Sequence, residues 1–406
     1  MEKAKTDSIF VSGKIVLSSL MKKNCFLLLV GMMAFAACQD PLFPEKPSID
    51  SELKGEAVDV NGLSGFKKLF VLNEGQMGAN NASLDMLRIS DANYITGVFK
   101  KMNPDEAAGL GDVGNDIAVI GNEVWIAVNN SGIVDVLSAK DETELASFQI
   151  PMPRCITYDD KYVYVSSWNG AVAVYGSDWS VDAEKSKNPK GAVYRIDRKT
   201  KKLDETPVEV GYQPEGMAVS GGKLYVANSG GIACSLPPAY SYDNTVSVID
   251  TKSFKAEKTI SVEVNLQKVF TDSKGNIYVN TFGNWYSVHS GLWQIKSDGS
   301  VAKVADYASY VAFRDNTVYC IGNENEFDYY GAPVMVAWKC SNGVKEAWNI
   351  NLDGVSPYAI AALPGGSFVI ADAGDYYNPG TVSLYTDGAK KWTVSAGVCP
   401  GHFAIW

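Results

Sequence analysis

Along most of the chain the apolar residues fall in short runs of consecutive positions, each preceded by a turn and ending on a small polar residue. One such run reads Leu69-Phe-Val-Leu-Asn73-Glu-Gly75. It returns at Val124–Asn129, Val163–Asn169, Leu224–Gly230, Ile277–Gly283, Val318–Asn323 and Phe368–Gly374, seven copies at intervals of roughly 40 to 60 residues. Periods of this size belong to propellers, solenoids or arrays. Helical periodicity is weak, and β-branched and aromatic residues dominate, so the repeating unit is a small sheet.

Each copy has the same neighbours. A short strand precedes it: Ile117-Ala-Val, Ile156-Thr-Tyr, Met217-Ala-Val, Lys268-Val-Phe, Val311-Ala-Phe, Ile360-Ala-Ala. A third strand follows, as at Thr245–Asp250, and then a fourth, as at Glu257–Val262. Four strands per unit is the blade of a β-propeller. Apolar residues at consecutive rather than alternate positions fit blades buried on both faces. The first copy lacks its preceding strand, whereas the chain ends on Cys399-Pro-Gly-His-Phe-Ala-Ile-Trp406, similar in form to Gln213–Val219. The expected fold is therefore all-β: a seven-bladed propeller over 65–406, closed where 399–406 joins the first blade.

The N-terminus reads as an address. Met21-Lys-Lys-Asn24 opens a cationic start, Cys25–Phe35 is a short apolar stretch, and Ala36-Ala37-Cys38 closes it. This is the pattern of a secretory signal peptide over 1–37, with Met21 as an alternative start, and the stretch is too short to span a bilayer. Ala-Ala-Cys resembles a bacterial lipobox, which would make Cys38 the lipidated first residue of the mature protein. Residues 38–64, with Pro41, Pro44 and Pro47, read as a tether to the membrane. The lipid would be the only membrane contact, the rest being soluble.

The net charge is −10, and the chain beyond residue 37 holds 31 basic against 44 acidic residues. That balance argues against sequence-independent nucleic-acid binding. Cys155, Cys234, Cys320, Cys340 and Cys399 show no metal-ligand spacing and no disulfide framework.

Turns between first and second strands are tight, while the insertions concentrate between second and third strands, at 169–190, 230–243, 283–289, 324–332 and 376–379. In a propeller these long loops share one face with the crossings between blades, which selects the functional face. The long loops carry Trp168, Tyr175, Trp179, Tyr240, Tyr242, Trp285, Tyr286, Tyr329, Tyr330, Tyr376 and Tyr377. The crossings add Asn115, Arg154, Tyr212, Gln213, Glu215, Gln267, Tyr310, Tyr358 and His402, and the strand ends add Asn73, Glu74, Asn129, Asn169, Asn228, Phe282 and Asp372. Rings give contact area at low entropic cost, and amides and hydroxyls orient a ligand. The candidate ligand is large and mostly uncharged, with apolar faces and polar edges. Any single ring could equally brace its own loop.

The catalytic inventory is thin. The chain has two histidines, His289 and His402, both mapped to the loop face. It has no HExxH, GxSxG, phosphate-binding or dinucleotide-binding motif and no calcium loop. Glu74, Glu215, Asp372 and Asp375 could supply carboxylates, but strand-end hydrogen-bond acceptors are the ordinary role of such acids. His402 could be a polar contact or an axial ligand to a metal within a bound molecule. No enzyme activity, catalytic residue, protein-bound metal or enzyme cofactor is expected.

Asn73-Glu-Gly-Gln-Met-Gly, Leu110–Asp116, Gly211-Tyr-Gln-Pro-Glu215, and Leu224–Gly231 with Asp243–Asp250 resemble the YncE-like propellers of Bacteroides surface lipoproteins, most of all the BtuG-type cobalamin-binding lipoproteins. The resemblance covers nearly all of 66–406 and includes the lipobox. It implies an outer-membrane protein at the cell surface that captures cobalamin or related corrinoids as ligand. It also implies delivery to a TonB-dependent outer-membrane transporter. The charged Ser177–Lys190 insertion departs from that pattern. A glycan- or protein-binding surface propeller, or a propeller lyase or lactonase, are the competing expectations.

Overall fold

The computed structural model describes residues 53–177, 180–231, 235–236, 241–328 and 330–406. The expected signal peptide, Cys38, Cys234, Trp179, Tyr240 and Tyr329 lie outside them.

Seven antiparallel sheets form the ring of a β-propeller. Blade 1 holds Lys68–Asn73, Ser83–Arg88 and Asn93–Ile95 in chain order. Its innermost strand is Pro400–Ile405, from the other end of the chain, paired Leu69 to Ile405, Val71 to Phe403 and Leu72 to His402. Blades 2 to 7 begin at Gly114, Pro153, Pro214, Leu266, Tyr310 and Ala359, each with four strands in simple meander order. The closing strand thus removes the open edge and also brings His402 to the channel.

The apolar clusters lie between blades, not within them. Phe70, Leu72 and Leu84 of blade 1 pack with Ile117, Val124 and Ile126 of blade 2. On the other face Leu69 and Val71 pack with Val369, Val382 and Leu384 of blade 7. All six residues of Lys68–Asn73 are buried. A central strand covered on both faces must be apolar at consecutive positions, which is why the repeat does not alternate. Each fully buried Leu, Val or Phe contributes roughly 1.5–3 kcal/mol of transfer free energy.

Close backbone approach narrows the ring. A Cβ on Gly216 would lie 2.7 Å from both the Gln267 carbonyl oxygen and the Lys268 Cα, so the inner strands of blades 4 and 5 touch backbone to backbone.

Two differences from the sequence expectation follow from burial. The tether expected over 38–64 does not describe residues 56–64, which pack against the propeller. Glu56–Ala57 adds a fifth, outer strand to blade 1 against Asn93 and Tyr94. Trp392 Nε1 donates to the Asp59 carbonyl at 2.7 Å, and Leu63 and Phe66 enter the cluster between blades 1 and 7. This segment covers what would otherwise be a bare sheet edge. A helical turn, Val98–Met102, also occurs in the crossing from blade 1 to blade 2, where it buries Val98, Phe99 and Met102. Its few apolar residues are too short a signal to register as helical periodicity.

Candidate functional site

Three of the seven copies of the repeat end in an asparagine for a structural reason. Asn73, Asn129 and Asn228 are almost fully buried. Asn129 Nδ2 donates to the Pro153 carbonyl of the next blade at 3.0 Å. Asn228 Nδ2 donates to Thr245 and Ser247 hydroxyls, and its Oδ1 accepts from Gly211 N. Asn73 Nδ2 donates to Ser83 Oγ. These amides satisfy backbone and hydroxyl groups at strand ends and do not face the channel cavity.

The channel-facing residues come from a second device. Where each inner strand of blades 1 to 5 starts, the register against its neighbour slips. The slips fall around Gly401, Asn115, Arg154 with Cys155, Glu215 with Gly216, and Gln267 with Lys268. A bulge of this kind re-aims side chains out of the pleat. The displaced backbone is held by polar side chains of the second strands. Ser166 Oγ accepts from Cys155 N and donates to the Glu215 carbonyl, and Asn280 Oδ1 accepts from Lys268 N. Every one of the bulged residues except Gly216 lines a cavity of about 540 Å³ at the mouth of the channel.

Two hydrogen-bonded chains cross its floor. In the first, Tyr358 Oη donates to Glu74 Oε2 at 2.8 Å, and Glu74 Oε1 lies 3.2 Å from His402 Nε2. His402 Nδ1 lies 3.9 Å from Asp116 Oδ1, and Asp116 Oδ2 accepts from Ile156 N. Both nitrogens of His402 therefore face carboxylates, which does not suit the axial-ligand role considered for it. In the second chain Arg154 Nε donates to Glu215 Oε2 at 2.9 Å, Arg154 Nη1 donates to Asn115 Oδ1, and Trp168 Nε1 donates to Glu215 Oε1 at 3.1 Å. The Arg154 guanidinium also lies 4.3 Å from the Trp168 ring centroid.

The charges respond to this setting. Burial presses the Glu74 carboxyl upward, but the hydrogen bond and charge of His402, with Tyr358 and Arg154, outweigh it and hold the pKa below its ordinary value. Burial raises Asp116, and His402 offsets only part of the effect. Burial opposes the Arg154 charge, yet Glu215 beside it raises the pKa. Burial pushes the Cys155 thiol well above its usual range, so it is not a thiolate nucleophile. Burial, with Tyr376 and Asp372 nearby, moves Tyr310 up to about 12. The floor is thus a fixed set of donors and acceptors.

The rim is aromatic. Phe282 and Trp285 from blade 5, Tyr310 from blade 6, and Tyr358 and Tyr376 from blade 7 line the cavity. Trp285 and Tyr376 both hold left-handed backbone, at φ 66° and 65°, a conformation bulky residues rarely adopt. Strain of this kind clusters at ligand-contacting loops.

Of the residues expected at the site, Glu74, Asn115, Arg154, Glu215, Gln267, Phe282, Trp285, Tyr310, Tyr358, Tyr376 and His402 converge on the cavity. Tyr377 lines an adjoining one. Trp168 braces Glu215 from beside it. Asn73, Asn129 and Asn228 are the strand-end latches described above. Asn169 is a turn residue at φ 54° whose amide donates to the Lys190 carbonyl. Gln213 is buried against Asn188 at φ 43°. Tyr212 stacks under Lys190, Tyr286 is exposed on its loop tip, and Asp372 accepts from Gly374 N. Asp375 likewise caps its own loop through Tyr377 N and Asn378 N. The sequence reading missed Asp116, Cys155, Lys268, Asn280, Ser309, Asn323 and Glu326. For the residues on inner strands, the signal was adjacency to a named crossing residue.

His289, the other histidine, is held at Nδ1 by Glu326 Oε1 at 2.7 Å and stacks on Phe327, 4.2 Å between centroids. Among the described residues no group of three or more His, Cys, Asp or Glu could hold a metal ion. No helix among them is long and apolar enough to cross a membrane.

No protein-family model and no curated protein matches the sequence. Among solved structures the chain is similar to a quinoprotein alcohol dehydrogenase-like protein from Bacteroides thetaiotaomicron. That match has TM-score 0.54 and 12% identity, and covers 84% of this chain and 78% of the other. It is also similar to hydrazine synthase of Kuenenia stuttgartiensis, with TM-score 0.51 and 16% identity, over 71% of this chain and 88% of that one. At these identities the likeness is one of fold: the β-propeller is shared.

Proposed function

We propose that the protein is a ligand-capturing propeller of the outer-membrane surface, anchored by lipid at Cys38, which binds cobalamin or a related corrinoid. It passes the ligand, chemically unchanged, to a TonB-dependent transporter. The observation that carries the binding reading is the composition of the loop-face cavity. Its floor presents Asn115, Gln267, Asn280 and Asn323 amides beside the Arg154–Glu215 and Glu74–His402 pairs, and its rim presents Trp285, Tyr310, Tyr358 and Tyr376. A corrinoid has the complementary make-up, a broad apolar macrocycle fringed with carboxamides that both donate and accept hydrogen bonds. Arg154, Glu215, Glu74 and His402 are already partnered with one another, so these groups favour an uncharged ligand edge over an ionic one, and exposed Lys268 is the remaining cation of the lining. Delivery to a transporter and the lipid anchor rest on the lipobox and the motif resemblance.

The test is calorimetric titration of the purified protein with cyanocobalamin, read together with the corrin absorbance. One-to-one binding supports the reading. No heat and no spectral change would sink it and make glycans, whose sugar rings also stack on exposed aromatics, the next ligands to array.

A further inference from the structure

A second concavity, of about 790 Å³, opens between blades 1 and 7 beside the central cavity. Its walls are the loop Glu74–Ala79 and the loop residues Asp375, Tyr376 and Tyr377, with Cys399. Glu74, Tyr358 and Tyr376 line both concavities, so the two are continuous across a shared wall.

The carboxylates of this groove accept hydrogen bonds from their neighbours. Asp375 accepts from Tyr377 N at 2.9 Å, Asn378 N at 2.8 Å and Asn378 Nδ2 at 2.7 Å. Glu74 is held by Tyr358 and His402. Asp375 is exposed, and the hydrogen bonds of its own loop hold its carboxyl below the usual range; around it Tyr377 is 75% exposed, Met77 77% and Tyr376 54%, with Gln76 and the exposed Gly78 on the facing loop. Phenol rings facing a loop that carries the Met77 thioether suit a planar heteroaromatic group.

We propose that this groove is a second subsite, which takes a planar heterocyclic arm of the ligand whose main body fills the central cavity. The inference rests on the proposed corrinoid function, and there the arm is the base of the nucleotide tail. The macrocycle contacts the channel floor, and the tail crosses the Tyr358–Tyr376 wall to stack against Tyr377.

The experiment compares cobalamin with cobinamide, the corrinoid that lacks the nucleotide, by titration of the wild-type protein and of Tyr377→Ala and Met77→Ala. The expected result is that the wild type prefers cobalamin by roughly tenfold or more, the scale of one stacked ring. Each substitution shrinks that ratio several-fold, and melting temperatures stay unchanged because both side chains are exposed. Equal affinity for the two corrinoids in the wild type, or a ratio unmoved by Tyr377→Ala, overturns the subsite and leaves the proposed function standing. Failure of both corrinoids to bind removes that function and this inference with it.

Discussion

Arg154 and Glu215, 61 residues apart and on the inner strands of neighbouring blades, form an ion pair at 2.9 Å in the channel mouth. Each lies at the start of its strand, where the register slips. The pair links blade 3 to blade 4 and fixes the floor of the cavity. Removing one partner leaves a buried charge uncompensated, so Glu215→Ala is expected to cost about 3–5 kcal/mol in urea unfolding. Replacing both by apolar residues of similar volume is expected to cost much less, while abolishing ligand binding. A double-mutant cycle on the two positions measures the coupling directly.

Aromatics on the rim separate binding from folding. Trp285 and Tyr376 are 43% and 54% exposed. Trp285→Ala and Tyr376→Ala should each weaken cyanocobalamin binding by about 2 kcal/mol or more, the scale of a central aromatic anchor. Their melting temperatures should move little. A large fall in melting temperature with unchanged affinity would make the rings loop braces instead.

Stability should fall across a defined acid window because of Asp135. This carboxyl is buried in blade 2, accepts from Ser147 Oγ at 2.7 Å, and is pushed up to about 6, mainly by burial. Its folded pKa therefore exceeds its unfolded value of about 4. Between those values the folded state binds more protons than the unfolded one, so this group lowers stability as pH rises from about 4 to about 6. The loss approaches about 3 kcal/mol above pH 6. Asp135→Asn should match the wild type near pH 4 and exceed it at pH 7, as read from denaturant midpoints at each pH.

Ring closure depends on the last strand. Lys68 N donates to the Trp406 carbonyl at 3.1 Å, and Trp406 N donates back to the Lys68 carbonyl at 2.9 Å. Truncation after Cys399 exposes the edge of Lys68–Asn73, a long apolar strand with no partner on that side. The expected outcome is aggregation, or a species that elutes larger than the monomer in size-exclusion chromatography. A monomeric truncated protein that melts normally would refute the closure's role.

Close approach in the ring gives a local test. At Gly216 a methyl group would meet the Lys268 Cα at 2.7 Å and Val269 N at 2.9 Å, and this is backbone that cannot rotate away. Gly216→Ala should cost about 1–3 kcal/mol, as overpacking does, and should widen the channel enough to weaken the Arg154–Glu215 pair. Parallel measurement of unfolding and of ligand affinity checks both effects.

The blades are legible in the amino-acid order alone. Runs such as Leu224–Ala227 are apolar at consecutive positions because sheets stacked face to face bury both sides of a strand, and that requirement is local and periodic. The unmatched strand at Cys399–Trp406 likewise revealed how the ring closes, since a lone strand needs a sheet to join. Which polar residues face the cavity is set by the folded ring. Asn129 and Asn115 look alike in sequence and both donate to a carbonyl of blade 3, yet only Asn115 also lines the site. Along a strand a shift of one residue turns a side chain to the opposite face, and the bulges that open blades 1 to 5 make that shift. Contacts such as Tyr358 to Glu74, 284 residues apart, exist only once the ring has closed.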